Sequence, residues 1–115
     1  MNKKLKNHPD NLSANDLTIT LPQVKKILNE CRGKKNALSM SQLLYNLRLK
    51  KVYTSRRKVR EVVDVLQDTA LVSRLIITHE GYYRGTATQF GEYLDKMESR
   101  AARMIERVNL LSSQE

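Results

Sequence analysis

Tryptophan is absent from the 115-residue chain and phenylalanine occurs once, so any core is aliphatic. Cysteine also occurs once, which excludes an internal disulfide and a cysteine-rich metal centre and fits a reducing cytoplasm. No apolar run approaches the ~18 residues that a membrane span requires. The opening Met-Asn-Lys-Lys-Leu-Lys resembles the basic region of a signal peptide. It runs into Asn7-His8-Pro9-Asp10-Asn11 and not into an apolar stretch, so secretion is not expected. Glycine-rich phosphate loops, internal repeats and low-complexity segments are missing. Negative charge is the scarcer sign, with 12 acidic side chains against 21 Lys and Arg.

What is present suffices for one domain with a modest core. Leu, Ile, Val and Phe make up 30 of the 115 residues, too many for a wholly disordered chain. The net charge of +9 is unevenly spread. Residues 1–60 carry fifteen basic and three acidic side chains, whereas residues 61–115 carry six and nine. A polarised chain is better explained by one face meeting a polyanion than by solubility. Nucleic acid leads as that partner, ahead of an acidic membrane surface or an acidic protein.

Residues 1–16 are polar and read as a flexible basic arm. A first helix is predicted from Thr20, with Thr20 and Gln23 spaced as a capping box, Ile19 stapled to Val24 and Pro22 in the first turn. Its buried stripe is Val24, Ile27, Leu28 and Cys31, and Gly33 ends it. On that stripe Cys31 packs as a small apolar residue. Ser39 and Gln42 open a short second helix with Leu43, Leu44 and Leu47 inward, and Leu38 is placed to staple on Leu43. A third begins at Thr54 or Ser55 and buries Val59, Val62, Val63 and Leu66. Leu75-Ile76-Ile77-Thr78 and Tyr82-Tyr83-Arg84 then flank His79-Glu80-Gly81 as a small hairpin. Tyr82 and Tyr83 alternate faces, so one is expected in the core, with base stacking an open option for the other. Thr86 and Gln89 open a last helix running to Ser112.

Helix, short helix, basic helix, hairpin and long helix together describe a mainly α protein with a small β-hairpin: a winged helix-turn-helix domain over 17–85 and a C-terminal helix over 86–115. Seven of the thirteen residues from Arg48 to Arg60 are basic and none is acidic. In a helix-turn-helix this stretch faces DNA. Arg56, Arg57 and Lys58 occupy a first helical turn, where each cation opposes the macrodipole at a cost of about 0.3–1 kcal/mol. A polyanion supplies the charge that such a turn lacks.

The run from Thr54 to Leu66, followed by Gly81-Tyr82-Tyr83-Arg84, resembles the small winged-helix proteins of bacteriophages and mobile elements. Their recognition helix carries a similar Ser/Thr-x-Arg-x-Val-Arg-Glu pattern, and a Gly-Tyr-Tyr segment starts their second wing strand. The resemblance covers about residues 20–111 and implies a transcriptional regulator or a replication or excision accessory protein. One departure is Leu71-Val72-Ser73-Arg74-Leu75, which lacks the glycine turn usual there, so an irregular or late wing is expected.

Double-stranded DNA is the expected partner. Arg57 and Arg60 are the base-contacting candidates, because bidentate arginine–guanine is the commonest specific pairing. Lys50, Lys51, Thr54, Ser55, Arg56 and Lys58 are candidates for phosphate contacts that set register. Arg74 and Arg84 flank the wing. Single-stranded nucleic acid is disfavoured by the few aromatics. A module that binds and inhibits a host protein is the alternative. No motif for phosphate binding, metalloprotease action or a nucleophile points to an enzyme, and no cofactor is expected. His8 and His79 have no second ligand at metal-binding spacing. Asp64 and Asp68, four residues apart, are more simply members of intrahelical ion pairs. Finally, Phe90, Leu94, Met97, Ala101, Met104, Val108 and Leu111 follow a 4-3 heptad spacing. The first half of this seam is expected to fold back along the first helix. The second half, with Met104, Ile105, Val108 and Leu111, predicts a homodimer.

Overall fold

The structure, a computed structural model, describes residues 8–114. Residues 1–7, including Lys3, Lys4 and Lys6 of the expected arm, lie outside the described residues. From Pro9 onward the chain is folded: Pro9–Asn11 form a 3₁₀ turn capped by His8 Nδ1, and Leu12 packs against the core.

The first helix starts upstream of Thr20. Residues 14–29 are continuously helical, as a π-helical segment Asp16–Thr20 running into α1, Leu21–Asn29. Its cap is Ser13, whose Oγ accepts from the Asp16 N–H at 3.1 Å. Thr20 is therefore helical and buried, and its hydroxyl donates to Asp16 Oδ1 rather than capping. The reason lies in Pro22, which lacks an N–H and crowds the carbonyl four residues back. The wider i→i+5 turn, closed by the Leu21 N–H on the Asp16 carbonyl, lets the helix pass that point unbroken.

Helix α2 spans Met40–Leu49 and has the expected capping box: Ser39 Oγ accepts from the Gln42 N–H, and Gln42 Oε1 accepts from the Ser39 N–H. Helix α3 spans Arg56–Asp68 behind Ser55, whose Oγ accepts from the Lys58 N–H. α1, α2 and α3 pack on one another around Leu28, Leu43, Leu47, Val59, Val62 and Leu66, all fully buried.

Strands β1 (Leu75–Thr78) and β2 (Gly81–Arg84) pair antiparallel, with Ile77 opposite Tyr82 and Thr78 opposite Gly81. The glycine-free approach is turned by Ala70 (φ 56°) and Arg74 (φ 54°), which adopt the left-handed conformation glycine would take, and the strand starts at Leu75. The loop after α1 adds backbone pairing along β2. Leu38 exchanges two bonds with Tyr82, and Arg84 donates to the Cys31 carbonyl. Gly81, at φ 143°, is required there, since a Cβ would run into the Leu38 carbonyl.

Both tyrosines of the hairpin are buried, so neither is open to stack on a base. Tyr82 joins the helical core. Tyr83 and its cross-strand partner Ile76 are buried on the other face, where the start of α4 meets β1. Gln67 ties the three elements, its Nε2 donating to the Leu75 carbonyl and to Tyr93 Oη.

Helix α4, Ala87–Ser112, opens with the expected Thr86–Gln89 capping box. At 1.5 Å per residue its 26 residues run about 39 Å, and the molecule measures 54 × 33 × 26 Å. The expected fold-back along α1 does not occur. No residue of α4 is buried, Phe90 is half-buried, and Leu94 and Met97 are exposed. The start of α4 packs on β1, and its apolar seam stays open beyond the first turns. No helix among the described residues is long and apolar enough to cross a membrane.

Candidate nucleic-acid interface

The basic stretch spans the turn after α2 and the first turns of α3, and the start of α2 lies beside Arg56. Ser39 and Ser55 cap α2 and α3, and Arg56 Nη2 donates to Ser41 Oγ at 2.9 Å, so the two N-termini lie side by side. Lys50 and Lys51 project from the turn, both exposed, with Lys51 at φ 60°. Val52, between them and α3, is buried and anchors the turn. The result is an open cationic ridge made of Lys50, Lys51, Arg56, Arg57, Lys58 and Arg60.

The members of the ridge are not equivalent. Arg57 is 88% exposed, with its Nε 3.4 Å from Glu61 Oε1, a loose i,i+4 pair. Arg60 is exposed and lies within electrostatic reach of Tyr82. Burial pushes the Tyr82 hydroxyl to a higher pKa, with the positive charge of Arg60 opposing the rise and Asp64 reinforcing it. Lys58 is exposed on the flank of α3.

Four of the candidate contacts have surroundings that the sequence does not show. The Thr54 hydroxyl is buried without a hydrogen-bond partner, facing inward and away from any phosphate. The Ser55 Oγ accepts from the Lys58 N–H and caps α3. Arg84 is half-buried and bound to its own fold: Nη1 donates to the Asn29 carbonyl, Nε to the Ser73 carbonyl and Nη2 to Ser73 Oγ. Arg74 donates through Nε to the Gly85 carbonyl. Both arginines stand at the open end of the hairpin, whereas its tip is His79 and Glu80, two exposed residues of which one is acidic.

Sequence reasoning passed over Tyr53 and Ser41. Tyr53 is 73% exposed beside the ridge. The signal for it is the alternation Lys51-Val52-Tyr53, in which an inward Val52 sends its neighbours out. Cys31 is buried, its Sγ donates to the Ile27 carbonyl, and burial, with Glu30 adding to it, raises its thiol pKa. No group of three His, Cys, Asp or Glu side chains placed to hold a metal ion occurs among the described residues. Comparison of the chain with family models, curated proteins and solved structures finds no match.

Proposed function

We propose that this chain is a winged helix-turn-helix protein that binds double-stranded DNA as a homodimer, with α2 and α3 as the helix-turn-helix and the β1–β2 hairpin as a reduced wing. The observation that carries this reading is the cationic first turn of α3, set beside the start of α2 and left uncovered. In such a motif the N-terminal residues of the second helix reach base edges while the flanking turn meets the backbone. Arg57 and Arg60 are then the base readers, and Lys50, Lys51, Arg56 and Lys58 hold phosphates. A role as a regulator, or as a replication or excision accessory of a phage or mobile element, rests on the resemblance of residues 20–111 to that group.

The dimer reading is supported by Met104, Ile105, Val108 and Leu111, exposed by 52–68%, the first three of which line an apolar groove of about 300 Å³ with Asn109. With Leu94, Ala101 and Val108 at heptad position a, Arg100 and Arg107 fall at g. An antiparallel pairing sets g against g and opposes these cations, while a parallel one places them beside the partner's Ile105 and Ser112. Parallel pairing also brings both α3 helices to one end, as a two-fold DNA site requires.

The test is duplex binding over a salt series. Neutralisation of about six phosphates at ~0.9 each gives a slope of log K against log[salt] of about −5. Tight binding with a slope near zero removes the ridge from the interface. The second reading, a protein-binding module, is favoured by exposed Tyr45 and Leu49 one turn apart on α2. It gains if micromolar protein fails to shift any duplex at about 50 mM salt.

A further inference from the structure

A second cationic centre lies away from the ridge. Where the loop after α1 meets the end of β2 and the cap of α4, a cavity of about 250 Å³ is lined by Arg32, Gly33, Arg74, Arg84, Gly85 and Thr86. Three of the six lining residues are arginines and none is acidic. Two of the guanidiniums are anchored by backbone carbonyls: Arg74 through Nε on Gly85, and Arg84 on Asn29 and Ser73. Anchoring through Nε leaves the four Nη hydrogens of Arg74 unspent, and Arg84 keeps two of its own. The exposed Arg32 guanidinium has no partner among the described residues. No ion pair of these three arginines with a carboxylate is present among the described residues.

The backbone fixes this arrangement from three distant segments. The Gly33 N–H donates to the Arg84 carbonyl, the Arg84 N–H to the Cys31 carbonyl, and the Gly85 N–H to the Arg74 carbonyl. Arg74 is held at φ 54°, an unusual conformation for its residue type, so the loop is ordered around it and not merely tolerant of it. Thr86 then starts α4, whose positive dipole end adds to the field. Three like charges gathered without a counter-charge repel one another, and a multivalent oxyanion relieves that repulsion while matching the planar forks of arginine.

We propose that this cavity binds a phosphate group, as inorganic phosphate or a phosphomonoester, and not the phosphodiester of DNA. The cavity is at the opposite end of α3 from the ridge. Gln67 in the last turn of α3 binds Leu75, next to Arg74, whereas Arg56 opens the helix, and a 13-residue helix separates its ends by about 18 Å. The hairpin repeats the polarity, with its tip beside Leu38 and Arg84 at the far end. A duplex on the ridge does not reach into this concavity. The inference therefore stands independently of the DNA reading.

The experiment is an amide NMR titration of the full chain with inorganic phosphate, ionic strength held constant with sodium chloride. Saturable shifts are expected at Gly33, Gly85 and Thr86. Arg32→Ala removes a side chain without a partner in the fold and is expected to weaken phosphate by about tenfold, the loss of one charge-assisted contact, with a Tm in the absence of phosphate no lower than that of the parent chain. Arg74→Lys keeps the charge, loses the fork, and is expected to weaken it several-fold. Added duplex is expected to leave the phosphate affinity of the cavity unchanged. Non-saturating shifts, shifts centred on residues 56–60, or unaltered affinity in both variants overturn the proposal. Displacement of phosphate by duplex overturns the monoester assignment and gives the cavity to the DNA backbone.

Discussion

Lys51 combines two demands at one position. Its φ of 60° is the geometry that glycine adopts without strain, yet its charge extends the ridge. Lys51→Gly is expected to leave the fold intact and to raise stability by up to about 1 kcal/mol, since the left-handed penalty outweighs the added chain entropy. Lys51→Val is expected to cost about 1–3 kcal/mol. Urea unfolding of the pair checks this, and equal midpoints would mean that the turn relaxes. Cys31 and Tyr82 make a second residue-scale case. Both are neutral when protonated, and burial raises both pKa values in the folded chain. Their contribution to stability is thus fully present below the unfolded values of about 9 and 10 and is lost as pH rises through the raised folded ones. The Tm is expected to fall above about pH 9, less steeply in Cys31→Ala. The thiol is expected to be alkylated slowly unless the chain is unfolded.

Helix α3 is the element in which folding and function pull apart. Its inner face is an uninterrupted aliphatic surface, Val59, Val62, Val63 and Leu66 at zero exposure, which secures the helix against the cost of three cations in its first turn. On the proposed DNA reading, its outer face separates readers from anchors. Arg57→Ala or Arg60→Ala is expected to cost about 1–3 kcal/mol on a preferred site and relax its sequence preference. Lys50→Ala is expected to weaken all duplexes alike and reduce the salt slope. The Arg57–Glu61 pair adds a sharper test, because both side chains are exposed and DNA competes for the same guanidinium. Glu61→Gln frees Arg57 and removes a negative charge facing the phosphates, so duplex affinity is expected to rise several-fold. Competition binding with matched and scrambled duplexes measures all of these. A fall in affinity on Glu61→Gln would show that the pair orients Arg57 for binding.

For the whole molecule, the helical core and hairpin occupy one end and α4 projects from it with an open seam. Exposed apolar residues in 4-3 register along about 39 Å of helix are expected to bring two copies together, and sedimentation equilibrium at tens of micromolar protein reads the mass directly. Met104→Lys with Val108→Lys is expected to give a monomer without lowering the Tm of the N-terminal core, because neither side chain touches it. A monomer in the parent chain that still binds duplex DNA removes the dimer from the proposal.

The local grammar of the chain was legible from residues three or four apart. The Ser39–Gln42 and Thr86–Gln89 boxes, the cap at Ser55, the aliphatic stripe of α3 and the Leu75–Arg84 hairpin all depend on neighbours within one turn or one strand pair. Even there, Thr20 shows the limit. A hydroxyl three residues before a glutamine has the same pattern at a helix start and inside a helix, and only the π-turn ahead of Pro22 distinguishes them. Contacts across long stretches of chain decided the rest. Tyr83 is buried where α4 meets the hairpin, and beyond that contact α4 lies open. Arg84 became a structural clamp because Asn29, 55 residues earlier, presents its carbonyl. Charge count and cap spacing are properties of the chain, but whether an arginine meets solvent, a carbonyl or a phosphate depends on which segments fold around it.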